Sequence, residues 1–356
     1  MANETLLRVE NLCQHFKLDA KTVNKAVDNV SFDIKKGEVF GLVGESGCGK
    51  TTTGRSIIKL YDITSGSVYF KDQRICAGVK SYKDAIAEAK KEKRGCSDSK
   101  RVAELDKIIA ENKAEMKKAQ EDHKKADRKL VNEIQMIFQD PNASLDPRMT
   151  VRDIIAEGLI IKGIKDKDYI DQKVFEMLET VGLVREHASR YPHEFSGGQR
   201  QRIGVARALI MEPSLIIADE PISALDVSIR AQVINLLNDL RHNLGITILF
   251  IAHDLSVVKY FSDRIGVMYY GKMVELAESE ELFKHPFHPY TRSLLSAIPQ
   301  PDPNYEKNRK RIVYNPIADH DYRTSQPTFR EVLPGHFVLC NDEEFAKYQA
   351  QVEAEK

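Results

Sequence analysis

The chain has 356 residues, which is enough for one large hydrophobic core or for two domains. Lys plus Arg and Asp plus Glu are equal at 53 each, so no net charge favours a nucleic-acid partner. No apolar run approaches the roughly 20 residues of a membrane-spanning helix, and the N-terminus lacks a basic, apolar signal segment. We therefore expect a cytoplasmic chain whose cysteines, without CxxC spacing, are free thiols: Cys13, Cys48, Cys76, Cys96 and Cys340.

Strand patterns open the chain and lead into a glycine-rich loop. Leu6–Glu10 and Val30–Ile34 alternate as half-buried strands do, whereas Val39–Val43 is apolar throughout, as in a buried parallel strand. The following segment, Gly44–Thr51, matches G-x-x-x-x-G-K-[ST] between a strand and a helix. This context predicts a phosphate-binding loop.

Each residue type in this loop has a physical role in holding phosphate. Glycine lets the backbone curl, so that successive N–H groups point at phosphate oxygens. Lys50 adds a mobile positive charge for the β- and γ-phosphates, and Thr51, with Thr52 beside it, offers a hydroxyl to Mg²⁺. We predict that the nucleotide is held by Gly44, Ser46, Gly47, Cys48, Gly49, Lys50, Thr51 and Thr52.

Composition changes between Ser81 and Val131, where Lys, Glu, Ala and Asp dominate and Pro is absent. Two helical arms flank Gly95–Asp98, and the second arm has a thin apolar seam of residues mostly three, four or seven apart. We predict a helical hairpin inserted at residues 81–131 that buries little apolar surface. A solvated spacer and a partner-docking arm are both open as its role.

Beyond the arm, apolar runs alternate with helical stretches, which predicts a mainly parallel α/β sheet. The predicted strands are Asn132–Phe138, Leu215–Ala218 and Ile246–Ala252. The tail after Met273 is richer in Pro and His and less periodic, so we expect a small appendage there.

Two carboxylates close one of these strands. Asp219 and Glu220 are adjacent, so their side chains diverge and should have different roles. Asp219 should reach Mg²⁺ directly or through water, and Glu220 should orient or deprotonate an attacking water. The alternative is that the two carboxylates only solvate the end of the strand. The presence of a phosphate-binding loop in the same chain favours the metal-and-base interpretation.

A second glycine-rich stretch begins another helix. Ser196 and Gln199 have capping-box spacing, and Gly197 and Gly198 leave the first N–H groups of the helix bare, as at an anion site. Three arginines add positive potential nearby: Arg200, Arg202 and Arg207. A well-capped amphipathic helix is the alternative, and the residues alone leave both interpretations open.

In combination, these motifs resemble an ATP-binding cassette (ABC) ATPase. Gly44–Thr51 matches Walker A, Leu215–Glu220 matches Walker B with its catalytic glutamate, and Ser196–Gln199 matches the family signature. Phe195 stands where Leu is commonest. The remaining matches are Gln139 in the Q-loop, Ser223–Asp226 in the D-loop, the switch histidine His253, and Phe16 where an aromatic stacks on adenine.

The resemblance implies an α/β P-loop NTPase fold, with a core mixed sheet, an antiparallel β subdomain and an α-helical signature subdomain. The helical-hairpin insertion and a small C-terminal appendage complete it. The nucleotide-binding domain would occupy residues 1–80 and 132–272, the insertion 81–131, and a peptide-importer-type extension 273–356.

In that family, two cassettes sandwich two ATP molecules head to tail. Ser196 and Gly198 would then serve the partner's ATP, with Gly197, Gln199 and Asp226 also among the nucleotide-binding residues. Lys50 and Glu220 would serve this chain's own ATP, at a hydrolytically competent site. Gln139 and His253 would sense the γ-phosphate, and Gln139 would also reach Mg²⁺ and link to the transport subunits.

Three further segments resemble ATPase subunits of oligopeptide and dipeptide importers, especially the second, F-type subunit: residues 140–148, 285–291 and 330–338. This resemblance implies a heterodimer with a D-type ATPase subunit, two transmembrane permease subunits, and indirectly an extracytoplasmic peptide-binding protein. The chain would lie peripherally at the cytoplasmic face of the cell membrane and use ATP and Mg²⁺.

Cys340 stands alone where many relatives have a cysteine cluster, so no iron–sulfur cluster is expected. Dipeptides, nickel, glutathione or an oligosaccharide are alternative substrates within the same importer family. A DNA-maintenance ABC ATPase is a distant alternative, because its coiled coil would be far longer than the arm here. A translation factor with paired cassettes would need a second P-loop.

Overall fold

The computed structural model describes residues 4–19, 22–223, 225–298, 311–323 and 325–354. These residues fall into two compact units. The first contains the segment before Gly37, Thr51–Glu133 and Tyr270–Lys272, and the second contains Gly37–Lys50, Ile134–Tyr269 and the chain from Met273.

Between Ile134 and Tyr269, strands alternate with one or more helices, as the sequence predicts for the part of the chain beyond the helical arm. The strands are β1 (Thr5–Lys17), β2 (Val23–Lys35), β3 (Val39–Val43), β4 (Ser65–Phe70), β5 (Gln73–Ala77), β6 (Ile134–Ile137), β7 (Leu215–Asp219), β8 (Thr247–Ala252), β9 (Arg264–Tyr269), β10 (Lys272–Glu278), β11 (Thr328–Leu333) and β12 (His336–Cys340). The helices are α1 (Lys50–Ile57), α2 (Lys80–Gly95), α3 (Ser99–Lys125), α4 (Arg128–Val131), α5 (Pro141–Ser144), α6 (Val151–Ile161), α7 (Lys167–Thr180), α8 (Gly197–Leu209), α9 (Val227–Leu244), α10 (Leu255–Phe261), α11 (Ser279–Lys284), α12 (Pro289–Ser296), α13 (Pro316–Asp319) and α14 (Asp342–Ala354).

An antiparallel sheet in the order β2-β1-β4-β5 forms the first unit. Side chains at alternate positions of β1, such as Leu7 and Val9, are buried, as the period of two requires. The register between β1 and β2 is irregular, because Leu12 pairs with Val30 whereas Gln14 pairs with Val27. β2 therefore has an extra residue at this point, which is the geometry of a β-bulge.

The predicted helical hairpin is confirmed as α2 and α3. Four apolar residues of the two helices form a cluster of their own: Ile86, Ala89, Leu105 and Ile109. The far end of α3 lies against β5, where Ala119 is fully buried. Polar contacts fasten it there, because the guanidinium of Arg74 donates to Asp122 Oδ2 at 2.9 and 2.7 Å. Lys59 Nζ also donates to the His123 carbonyl at 3.0 Å.

The second unit is built on an eight-stranded sheet in the order β11-β12-β10-β9-β3-β8-β7-β6. The five strands from β9 to β6 run parallel, and β12 pairs antiparallel with both β10 and β11. β3, β7 and β8 are buried along their whole length. The predicted core mixed sheet is therefore confirmed, and its central strands are continuously apolar because both faces are covered.

Helices α6, α7 and α8 pack together and form a helical part of this unit. Their facing side chains, including Leu159, Val174 and Ile203, are buried in the main hydrophobic core. The prediction of a helical signature subdomain is confirmed. In the part of the chain that the structure describes, no helix is both long enough and apolar enough to cross a membrane.

The chain from Lys272 onward contributes β10, β12 and β11 to one edge of the main sheet. Glu275 on β10 is fully buried and accepts hydrogen bonds from the Phe287 and His288 amides at 2.8 and 3.2 Å. Its carboxylate also lies 2.8 Å from Nε2 of the buried His336. Three separate parts of this segment are therefore held by a single buried carboxylate.

The Arg74–Asp122 pair should matter for stability, because the Arg74 side chain is only 8% exposed and loses its carboxylate in Asp122→Asn. Asp122 is about one-third exposed, so solvent screening reduces the effect. We expect the free energy of unfolding to fall by about 1 kcal/mol, measured by urea denaturation of the full chain.

Asp106→Asn is the matched control, since Asp106 lies on the same helix and pairs with Lys93 in a more exposed position. It should change the free energy of unfolding by less than about 0.5 kcal/mol. Equal losses in the two variants would contradict the anchoring role of Asp122.

Candidate functional site

The carboxyl ends of β3, β8, β7 and β6 lie side by side at one edge of the main sheet. Val43 pairs with Ala252 and Asp219 pairs with Ile251, so these parallel strands end in register. Loops that leave a common edge bring their first side chains close together. The residues that follow these strands here are Gly44, Gln139, Glu220 and His253.

The loop after β3 has a backbone that only glycine accommodates at its first position. Gly44 has φ 150°, and a Cβ there would lie 2.2 Å from the Met268 carbonyl oxygen and 2.7 Å from Cys48 Sγ. Gly47 and Gly49 also have positive φ, at 82° and 107°. The loop therefore has the curled backbone that aims N–H groups at phosphate, as its sequence predicts.

Lys50 is the lysine of the G-x-x-x-x-G-K-[ST] motif and the first residue of α1. Its side chain is 4% exposed, and Nζ donates to the carbonyls of Gly44 at 2.7 Å and Glu45 at 2.9 Å. The ammonium is thus positioned inside the curve of the loop. Thr51 and Thr52 follow in the first turn of α1, where the helix dipole favours an anion.

The other two predicted catalytic residues both contact the carboxylate of Glu220. Gln139 Nε2 donates to Glu220 Oε2 at 3.0 Å, and His253 Nδ1 lies 3.2 Å from the same oxygen. The Glu220 side chain is 12% exposed, whereas His253 is half-exposed. The structure therefore brings Gln139, Glu220 and His253 into one cluster at the sheet edge.

Backbone geometry fixes where this carboxylate lies. Glu220 has φ 45°, a left-handed conformation that costs about 1–3 kcal/mol in a non-glycine residue. Its N–H donates to the Ile251 carbonyl at 3.0 Å, which holds the turn against β8. The preceding Asp219 is the fully buried last residue of β7, so the two adjacent carboxylates occupy different environments.

The predicted capping box at the start of α8 is confirmed. Ser196 Oγ accepts from the Gln199 amide at 3.3 Å, and Gln199 Oε1 accepts from the Ser196 amide at 3.0 Å. A Cβ at Gly198 would lie 2.5 Å from Ile229 Cγ2 of α9, so a glycine is required by this packing. Ser196 itself is exposed and stays available for an external ligand.

The three arginines that follow the capping box have structural partners. Each donates from Nη1 to a backbone carbonyl: Arg200 to Phe195 at 2.7 Å, Arg202 to Val181 at 2.9 Å and Arg207 to Ser144 at 2.6 Å. Burial lowers the pKa of Arg207. Each guanidinium is therefore held within the fold by at least one backbone carbonyl, and the contribution of these arginines to the potential at the start of α8 stays a prediction.

The remaining predicted nucleotide-binding positions are in the D-loop motif and at Phe16. Asp226 is exposed and immediately precedes α9, while Ser223 Oγ donates to the Glu220 carbonyl at 3.1 Å. Ala224 of the same motif lies outside the described residues. Phe16 is partly buried in β1, edge-on to Tyr61 with ring centroids 5.3 Å apart. Its adenine-stacking role stays a prediction.

Tyr290 is a site residue that the sequence did not reveal. Its hydroxyl accepts a hydrogen bond from the Glu45 amide of the phosphate-binding loop at 3.0 Å, and the residue is 1% exposed. Its ring packs against Tyr269 and Tyr314, with centroids 4.4 and 5.5 Å away. The two bonded residues are 245 positions apart, so no local pattern could reveal the contact.

Two family profiles match the chain. The family described as ABC transporter matches residues 27–223, and the family described as oligopeptide/dipeptide transporter, C-terminal region, matches residues 274–323. The sequence is 54% identical over 346 residues to the "Oligopeptide transport ATP-binding protein OppF" of Bacillus subtilis, covering 97% of this chain and 99% of that protein. It is 48% identical over 349 residues to the "Dipeptide transport ATP-binding protein DppF" of Lactococcus lactis, covering 97% and 96%.

Solved structures show the same fold. A dimeric, post-hydrolysis structure of the ATP-binding cassette MJ0796 bound to ADP and Pi is similar, with a TM-score of 0.56 and 26% identity. The similarity covers 77% of this chain and 99% of that one.

Tyr290→Phe removes the hydroxyl that holds the Glu45 amide and leaves the ring in place. We expect the KM for nucleotide to rise about fivefold, which corresponds to the loss of about 1 kcal/mol, with a smaller change in kcat. Burial raises the pKa of the Cys48 thiol, although the charge of Lys50 opposes this. The thiol of the ordered loop should therefore be alkylated slowly, and a faster rate would report a less ordered loop. Cys48 should react faster in the variant.

Tyr314→Phe is the control, because it makes the same chemical change within the same aromatic cluster. It should leave both readouts near those of the unmodified chain. An unchanged KM together with unchanged Cys48 alkylation in Tyr290→Phe would show that Tyr290 does not position the loop.

Proposed function

The chain belongs to the family of ABC transporter ATP-binding proteins, and on this basis we propose that it hydrolyses ATP to power oligopeptide import. The observation that carries the proposal is the convergence of Gln139 and His253 on the Glu220 carboxylate. This cluster lies at the sheet edge from which the phosphate-binding loop also leaves. A general base beside a phosphate cradle is the arrangement that hydrolysis requires.

In the proposed reaction, the loop amides bind the phosphates and Lys50 moves from its carbonyl partners to the β- and γ-phosphate oxygens. Glu220 orients or deprotonates the attacking water, and its partly buried carboxylate is already fixed by two polar neighbours. Gln139 and His253 exchange their contact with Glu220 for the γ-phosphate. Both residues thereby connect the presence of ATP to the position of the base.

The residues predicted for Mg²⁺ fit that ion by their chemistry. Asp219 supplies a carboxylate at the end of β7, Gln139 an amide oxygen, and Thr51 a hydroxyl in the first turn of α1. Oxygen donors of this kind are the ligands that Mg²⁺ prefers. The bound ion would neutralise charge on the phosphate oxygens.

We propose that the ATP site is completed by a second cassette. Ser196 and Gly198 lie at the start of α8, where Ser196 is exposed, and they belong to a different loop from the Glu220 cluster. The dimeric structure of the related cassette MJ0796 supports such an arrangement. The partner would be a D-type ATPase subunit, so that the complex is a heterodimer, with each signature facing the other chain's nucleotide.

The transport assignment rests on the C-terminal region and on the relatives. The profile that matches residues 274–323 is described as the C-terminal region of oligopeptide/dipeptide transporters. The names of the OppF relatives favour oligopeptides over the dipeptide, nickel, glutathione and oligosaccharide alternatives. Two permease subunits and an extracytoplasmic peptide-binding protein would complete the importer, with this chain at the cytoplasmic face of the membrane.

Glu220→Gln tests the proposed function in the complex purified from its native membrane and reconstituted in liposomes. The amide keeps the size of the side chain but cannot take a proton, so ATP hydrolysis and peptide uptake should both fall at least about a hundredfold. Nucleotide binding, measured by filter retention of labelled ATP, should persist.

Glu212→Gln is the matched control, since Glu212 is an exposed glutamate paired with Lys173. Its turnover should stay within about twofold of the original, as for most surface substitutions. Full peptide uptake by the Glu220→Gln complex would disprove the base assignment, and ATP turnover without peptide uptake in the original complex would disprove the substrate.

Ser196→Arg tests whether the signature acts on the partner's nucleotide. A bulky cation at the exposed start of α8 should block the site formed with the partner's P-loop and spare the site built on Lys50 of this chain. Photolabelling of each chain with an azido-ATP analogue after vanadate trapping should show the partner losing its label. Ser189→Arg, at another exposed serine, is the control.

If Ser196→Arg removed the label from this chain and left the partner labelled, the signature would act on its own nucleotide. The head-to-tail arrangement would then be wrong.

A further inference from the structure

Three metal-ligating side chains meet on the antiparallel sheet of the first unit. One donor atom from each of Cys13, His15 and Asp28 lies within 4.8 Å of the other two. Among the residues that the structure describes, these three form the one group of at least three His, Cys, Asp or Glu side chains close enough to share a metal ion. None of them takes part in the proposed ATP reaction.

The backbone explains why these residues meet. Cys13 and His15 are two positions apart on β1, so their side chains point to the same face of the sheet. The bulge in β2 lies opposite them, with Asn29 in a left-handed conformation at φ 60°. This bulge directs Asp28 toward the pair, which is a common use of a bulge next to a site.

Distances within the cluster suit a small coordination sphere. His15 Nε2 lies 3.1 Å and Cys13 Sγ lies 4.0 Å from the same oxygen, Asp28 Oδ1. Ligands about 2.0–2.3 Å from a tetrahedral zinc ion are separated by about 3.2–3.7 Å. The separations of His15 Nε2 and Cys13 Sγ from this oxygen are therefore within a few tenths of an ångström of that range.

Neighbouring polar groups hold the donor atoms of the cluster in position. Although burial opposes it, hydrogen bonds and charge from Lys25 and His15 hold the pKa of the Asp28 carboxyl below its usual range. Lys25 contacts the other carboxylate oxygen, Oδ2, at 3.3 Å, so Oδ1 stays directed at the cluster. The Asn29 amide donates to Cys13 Sγ at 3.2 Å, which helps to fix the position of the sulfur.

The cluster is shielded but reachable from solvent. The His15 and Asp28 side chains are 12% and 22% exposed, and Cys13 is partly buried. Partial burial strengthens charge interactions, while the remaining exposure leaves a path for an ion and room for a water ligand. A simple His–Asp–Lys network would explain His15, Lys25 and Asp28, but it gives no role to the thiol beside them.

We propose that Cys13, His15 and Asp28 bind a zinc ion through three protein ligands, with water in a fourth position. A thiolate with an imidazole and a carboxylate is a donor set for Zn²⁺, whereas Mg²⁺ prefers oxygen alone. Binding forms Zn–S, Zn–N and Zn–O bonds and releases the thiol proton of Cys13 to solvent. No electron is transferred in this step.

The test uses the reduced, untagged, metal-free full chain with Co²⁺ as a spectroscopic probe and Zn²⁺ as the competitor. We expect one equivalent of Co²⁺ to give a thiolate-to-cobalt charge-transfer band and the intense visible bands of tetrahedral cobalt. One equivalent of Zn²⁺ should abolish both. A wild-type chain without the charge-transfer band would overturn the proposal.

Variants then identify the ligands. Cys13→Ser should remove the charge-transfer band and weaken Zn²⁺ binding at least about tenfold, as measured by competition with a chromogenic chelator. Cys96→Ser is the matched control, because Cys96 is a partly buried free thiol in the helical hairpin, and it should retain both. His15→Gln should weaken Zn²⁺ binding and keep the thiolate band, which gives the same test without altering the cysteine.

Circular dichroism of each variant establishes that it is folded. Loss of the band in Cys96→Ser with its retention in Cys13→Ser would place the metal elsewhere, and equal zinc affinity in all variants would show that the cluster binds none.

Discussion

The register of the parallel strands is the constraint on which the rest of the molecule depends. Apart from their end residues, β3, β8 and β7 are apolar and buried, so they carry no polar side chains along their length. Polar residues are possible where the strands end, and parallel pairing places those ends together. The phosphate-binding loop and the Glu220 cluster are therefore neighbours because of hydrogen bonding in the sheet.

Two residues at these strand ends have unusual backbone conformations, and their contacts explain why. Gly44 and Glu220 both have positive φ, and each is the first residue after a buried strand. At Gly44 the absence of a side chain allows the loop to approach Met268 closely. Glu220, in contrast, carries a full side chain although its backbone conformation is unfavourable for a non-glycine residue. Such a conformation persists only where the surrounding structure enforces it, and the Ile251 carbonyl does so here.

Local sequence patterns were sufficient to predict much of the fold and most of the candidate site. The phosphate-binding loop, the strand that ends in Asp219 and the capping box at Ser196 each depend on residues close together in sequence. The helical hairpin was likewise predicted from its charged composition and from the spacing of the apolar residues in its second arm.

Contacts between distant residues could not be predicted. The Tyr290–Glu45 bond spans 245 positions, and the buried Glu275 gathers partners from two later segments. The carbonyl partner of Arg207 and the β2 bulge beside Cys13 likewise depend on packing that no single stretch encodes.

The buried carboxylate of Glu275 makes the last part of the chain an obligatory component of the folded protein. Its hydrogen-bond donors come from Phe287, His288 and His336, all of them C-terminal to the nucleotide-binding core. A premature stop or proteolytic trimming before Phe287 would leave a naked anion in the interior and would also delete the tyrosine that steadies the P-loop. Removal of the chain from Phe287 onward should therefore destabilise the folded core of this protein as well as its phosphate-binding loop.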